Sequence, residues 1–200
     1  MKKLTCIIFI LIATNLIAQK TKYKDGFTFE KIKVKGDLNG DKIADVAIVT
    51  QDTLDDKRPY RLQIFFTEKD GKLKLVVSTT KAIEAEFPDG KEKGFVTGNE
   101  FDDLTIERGV LSINNGLLRG HFEHKFRFQH GKFELIGYSH NYFYNGTMGS
   151  TDFNLVTGKR VETEEHFDTA LPRNTSIKKY IISPLPSLQD FKPFTNILYW

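Results

Sequence analysis

Cysteine is almost missing from this 200-residue chain. The one copy, Cys6, excludes a disulfide framework. Tryptophan and methionine are scarce as well, with one and two copies. Neither sign of charge is in excess: 29 basic and 26 acidic residues give +3. That is too little to point to nucleic acid or to an anionic membrane surface. No Gly-x-Ser-x-Gly elbow and no P-loop is present. What the chain has instead is 17 phenylalanines and 7 tyrosines. Eight of the aromatics fall between Phe122 and Tyr144.

The first residues carry the pattern of an address. Met1-Lys2-Lys3 is basic, and Leu4 to Ala13 is apolar except for Thr5. This apolar run is shorter than the roughly 20 residues of a membrane-spanning helix. Its order, ending on small Ala18, is that of a secretory signal peptide over residues 1–19. Cleavage is expected after Ala18 or Gln19, which predicts a periplasmic or extracellular protein with no integral membrane segment. Cys6 would leave with the leader, which excludes a thiol nucleophile. The remainder carries 27 basic against 26 acidic residues, so it is nearly neutral. A chain of that length buries roughly 70% of its unfolded surface and needs no covalent staple.

Residues 20–200 are expected to form one β-rich domain, since neither a repeat nor a low-complexity linker divides them. Period-2 alternation dominates, in Tyr60–Phe66, Leu73–Val77, Leu104–Ile106, Leu111–Ile113 and Phe153–Leu155. The clearest hairpin is His121–His140, where Phe122, His124, Phe126 and Phe128 share one face before the turn Gln129–Lys132. Val46–Val49 is continuously apolar, as for a strand covered on both faces. Thr79–Phe87 is expected as one short helix, and the Pro-containing segment 183–200 as extended chain on an edge or over the surface. Lys20, Lys22, Lys24, Lys31, Lys33 and Lys35 suit a flexible solubilising stretch. The fold class predicted is all-β and mainly antiparallel. It is a meander of about eight to ten strands, arranged as a sandwich or a strongly twisted open sheet.

One loop carries chemistry. In Gly36-Asp37-Leu38-Asn39-Gly40-Asp41-Lys42-Ile43-Ala44-Asp45, oxygen-bearing side chains stand at loop positions 1, 3, 5 and 9. Calcium is a hard cation that takes oxygen ligands, and short Asp and Asn side chains in a tight loop converge on one ion. Clustered carboxylates repel until a cation turns that repulsion into attraction. Position 12 is Ile48 rather than Glu, and a strand follows, so this is not an EF-hand. The same residues also suit an Asx-rich turn held by side-chain to backbone hydrogen bonds.

Over the 14 residues Gly36–Val49, the loop resembles the calcium loop of FG-GAP and VCBS-type repeats, as in integrin-like propeller blades. The resemblance implies Asp37, Asn39, Asp41 and Asp45 as side-chain ligands of Ca²⁺, with the Ile43 carbonyl added. Such loops usually have Gly at position 6, where this chain has Lys42. The affinity implied is weak and structural, with Kd on the order of 10⁻⁴–10⁻³ M. The loop occurs once, and a propeller is excluded by size, because several blades would need more than twice this chain. The chain also resembles a class of small secreted bacterial β-proteins with no assigned reaction. They share this loop, a hairpin like Phe126–Gly137 and a segment like Phe153–Lys159.

Other residues offer weaker chemistry. His121 and His124 are an odd number apart and fall on opposite faces of a regular strand, one at the surface and one packed beside Phe126. Asp52, Asp55 and Asp56 suit either a solvated loop or a second cation. Asp102-Asp103 and Glu164-Glu165 are acidic pairs, and a glycosidase would need two such carboxylates facing across a cleft. Tyr138, Tyr142, Phe143 and Tyr144 suit ordinary sheet packing, or a sugar or protein platform where exposed. The function these features favour is an exported, calcium-stabilised binding or structural module without catalytic activity, facing a protein or glycan partner. The alternatives are a secreted hydrolase using acidic residues near the loop and a periplasmic inhibitor or immunity-type protein.

Overall fold

Two-residue turns with positive φ at both positions have the twist that antiparallel strands require. Three occur here: Arg108-Gly109 (φ 49° and 76°), His130-Gly131 (53° and 76°) and Asn145-Gly146 (48° and 74°). Each joins consecutive strands of one long meander. The computed structural model describes residues 25–91, 100–169 and 172–195. The expected leader 1–19, Lys20, Lys22 and Lys24, and residues 196–200 of the expected extended segment lie outside the described residues.

The first sheet contains β1 (Phe27–Gly36), β2 (Asp45–Asp52), β3 (Tyr60–Thr67) and β4 (Leu73–Thr79), in that order. The second contains seven strands. They are β5 (Glu100–Glu107), β6 (Val110–Leu117), β7 (Gly120–Gln129), β8 (Lys132–Tyr144), β9 (Thr147–Asn154), β10 (Lys159–His166) and β11 (Pro172–Lys179). All pairs are antiparallel and every neighbour in a sheet is a neighbour in sequence. The protein is therefore all-β, with eleven strands in two sheets among the described residues.

One apolar cluster joins the sheets. Ala47, Val49, Leu62 and Ile64 from the first meet Leu104, Leu111, Ile113, Phe126, Phe133 and Phe153 from the second. Phe66 makes an edge-to-face contact with Phe128 at 4.9 Å across the interface. The Phe122–Phe128 face lies inward as the alternation requires, and Val46, Ala47 and Val49 are buried in the interior strand β2. β1 runs beside β5, and a Cβ on Gly36 would stand 2.4 Å from Ile106 Cγ2. A side chain at position 36 would therefore push the two strands apart.

Three expectations change. Lys31, Lys33 and Lys35 do not lie in a loose stretch. They are exposed positions of β1 that alternate with Ile32 and Val34, which turn toward the core. Thr79–Phe87 forms no helix. Its Ala82 and Ile83 are buried, and Glu86 and Phe87 donate their N–H groups to the Arg58 and Lys57 carbonyls, so tertiary pairing replaces helical bonds. The C-terminal segment is more than a surface strap. Leu188 and Phe191 are buried in the core, and Phe191 packs on His124 and Phe126 at 4.8 and 5.2 Å. Leu188 N–H bonds the Phe133 carbonyl, while Gln189 Nε2 donates to the Ser78 carbonyl. The segment thus ties β8 to β4.

Candidate functional site

The β1–β2 loop is built from side-chain to backbone hydrogen bonds. Asp37 accepts the N–H of Gly40 on Oδ1 at 2.7 Å and that of Lys42 on Oδ2 at 2.9 Å. Asn39 Oδ1 accepts from Asp41 N at 2.9 Å, and Asp41 Oδ1 from Ile43 N at 2.8 Å. Asn39 Nδ2 donates to Asp41 Oδ2 at 3.1 Å, so these two side chains face one another. Lys42 adopts φ 67°, the left-handed conformation that glycine takes most readily. Leu38 points inward as an anchor and is buried.

Asp45 differs from the other acids of the loop. It opens β2 and is fully buried. Oδ2 accepts Leu38 N–H and Oδ1 accepts Thr67 N–H, each at 2.9 Å. Thr67 Oγ1 donates to the Ala44 carbonyl at 2.7 Å and completes the clamp. Asp45 enters no ion pair among the described residues. A buried carboxylate with only neutral donors carries a desolvation cost that a nearby cation would offset.

The donors of the loop are all oxygen, which suits a hard cation. No group of three or more His, Cys, Asp or Glu side chains among the described residues is arranged to hold a metal ion. The carboxylates instead engage backbone N–H groups. Each carboxylate oxygen has a second lone pair, so these bonds leave ligating capacity in place. Across from the loop, the Arg108-Gly109 turn and Ile106 wall a hollow of about 370 Å³ with Asp37 and Gly40.

The other acidic candidates separate. Asp52 Oδ1 caps the N–H groups of Leu54 and Asp55, and Asp55 Oδ1 caps that of Lys57, so both shape the β2–β3 turn. Asp103 Oδ1 accepts from Leu104 N. Glu164 and Glu165 occupy successive positions of β10 and line grooves on opposite faces of the sheet, so they cannot flank one substrate. The histidines of β7 divide as the alternation predicts: His121 is exposed, while His124 is buried against Phe122, Tyr138 and Phe191.

Two grooves flank the β8–β10 region. On the inner face, past the apolar core, lies one of about 400 Å³ among His140, Tyr142, Arg160, Glu162, Glu164 and Asn174. Its charges are largely paired: Glu162 accepts from Arg160 Nε at 2.8 Å and Lys178 Nζ at 2.9 Å. Hydrogen bonding by Lys178, against a smaller effect of burial, holds the Glu162 carboxyl below its usual value. Burial pushes the Tyr138 phenol well above its ordinary value, so it stays protonated.

The outer groove is larger, about 590 Å³. Phe143, Met148 and Phe167 form its apolar wall, and Asn141, Ser150 and Thr163 form a polar floor. Of the tyrosine-rich segment, Tyr138 is packed inside while Phe143 and Tyr144 are exposed. Sequence reasoning missed Met148, Ser150, Thr163 and Phe167. Asn145-Gly146 was the available signal, because that turn sets Phe143 opposite Met148. No family model, no curated protein and no solved structure matches the chain.

Proposed function

We propose that this protein is an exported binding module without catalytic activity, whose first hairpin loop is stabilised by calcium. The observation that carries the calcium reading is the Asp45 carboxylate. It is fully buried and bonded only to two backbone N–H groups, beside a loop with two further carboxylates. Asp37, Asn39 and Asp41 would hold the ion through side-chain oxygens and Ile43 through its carbonyl. Asp45 would join them with the lone pairs its hydrogen bonds leave free. The ion supplies charge compensation and ties β1 to β2; it supplies no reaction. The leader pattern of residues 1–19 supports export, and the oxygen-only donor set supports calcium over softer metals.

Thermal melting in calcium and in chelator tests this reading. At 10 mM Ca²⁺ and a Kd of 10⁻⁴–10⁻³ M, linkage gives about 1.4–2.7 kcal/mol of stabilisation. For a chain of this size, that raises Tm by roughly 3–10 °C. Asp41→Ala should abolish the shift. Equal melting in calcium and chelator would overturn the reading.

A further inference from the structure

We propose that the outer groove over β8, β9 and β10 binds a neutral oligosaccharide. This rests on the reading of the chain as a binding module and names its ligand class and site. Strand register places two rows side by side on this face. His121, Asn141, Ser150 and Thr163 stand opposite one another across β7, β8, β9 and β10. Two residues further along, Phe143, Met148 and Glu165 form the next row. Adjacent strands are ~4.8 Å apart and alternate residues ~6.7 Å apart. The polar row is therefore roughly 14 Å long and runs parallel to an apolar wall about one sugar ring away.

Phe167 completes that wall. Its ring meets Phe143 edge to face at 4.9 Å and 64°, and its N–H bonds the Gly146 carbonyl. Yet Phe167 is 60% exposed and Met148 47%. A pyranose has the complementary division, with C–H groups on its faces and hydroxyls around its rim. The faces would cover the exposed rings, and the hydroxyls would meet Asn141, Ser150, Thr163 and Glu165. His121 Nε2 and Asn141 Nδ2, 3.0 Å apart, hold one another in place at one end.

The alternatives fit this groove less well. An extended peptide adds to a sheet through free backbone groups at an edge. The strands β8, β9 and β10 are interior, each paired on both sides. An anionic ligand needs cationic partners. Among the described residues no Lys or Arg lines the groove, while Glu165 does. The volume lies in the ordinary range for small-ligand sites.

Native gels cast with starch, mannan, hydroxyethylcellulose, β-1,3-glucan or glycol chitin test the proposal, with heparin as the anionic arm. The expected result is retardation by at least one neutral polymer. Phe167→Ala and Asn141→Ala should each weaken it at least tenfold with Tm unchanged, and Val156→Ala, on a distant turn, should not. Failure of every neutral polymer to retard the protein, retardation by heparin alone, or undiminished retardation of both groove variants would overturn it. Calcium melting of the same samples separates the two readings. Stabilisation by the ion without retardation overturns the groove alone, and retardation without a calcium shift overturns the loop alone.

Discussion

The ring of Tyr142 lies in the space that a side chain at Gly149 would fill: a Cβ there would stand 2.0 Å from Cζ. The two residues face each other across β8 and β9. Gly149→Ala must therefore displace the ring, with an overpacking cost of about 1–3 kcal/mol. In a Tyr142→Ala background the same change should cost almost nothing. A double-mutant cycle by urea denaturation measures that coupling, and additive costs would contradict it.

Asp45→Asn should destabilise more than the loss of any other polar side chain of the β1–β2 loop, because it alone is fully buried. The amide can accept only one of the two N–H groups that the carboxylate holds, leaving the other buried and unpaired. The expected loss is about 1–3 kcal/mol. The midpoint of denaturation in urea reads it directly, and the variant should also show a reduced calcium shift.

Lys42 and Gly40 make opposite predictions within that loop. Lys42 holds φ 67° with a side chain that disfavours it, so Lys42→Gly should stabilise by up to about 1 kcal/mol. Gly40, at φ 84°, should lose stability by a similar amount on replacement with Ala. Equal signs for the two would show that backbone strain does not govern this turn.

Glu134 should give the β7–β8 turn an acid-sensitive clasp. Burial alone would raise its pKa, but hydrogen bonds from Gln129, Lys132 and His130 outweigh it and hold the carboxyl below its usual value. The folded pKa is below the unfolded one, so the stabilisation is complete above about pH 4.3. It is lost as pH falls through the folded value. Wild type and Glu134→Gln should differ in urea midpoint at pH 6 and converge as pH falls below 4.3 (a value of about that size for a free Glu).

His140 should respond to acid in the same direction at higher pH. Burial, then the charges of His121 and Arg160, lower its pKa. Its Nε2 is buried with no hydrogen-bond partner among the described residues. Stability is then expected to decline as pH falls from about 6.5 toward the folded pKa. An NMR titration of the ring should show a midpoint below 6.5, and His140→Gln should flatten the decline.

Legibility followed distance along the chain. The hairpin around His130-Gly131 was visible because apolar alternation and turn chemistry lie within a few residues. β1 carries the same alternation, but its Lys31, Lys33 and Lys35 drew attention to charge and away from Ile32 and Val34. β11 is a mostly exposed edge, so its sequence has little apolar period to display. The loop's oxygen spacing was local and legible. The role of Asp45 was not, since it depends on Thr67, 22 residues away. The outer groove needed the register of four strands at once.

The tie from β8 to β4 also gives the chain an order of events. Both meanders are assembled from neighbouring hairpins, which close over short loops and pay little entropy. The bond from Gln189 to Ser78 spans 111 residues, and Leu188 and Phe191 follow every strand in sequence. A growing chain can thus form each sheet as it emerges, but the aromatic surface around His124 and Phe126 stays open until residues 188–191 arrive. Until then the two sheets are partners still exposed to aggregation, a vulnerable interval that closes when Leu188 and Phe191 dock.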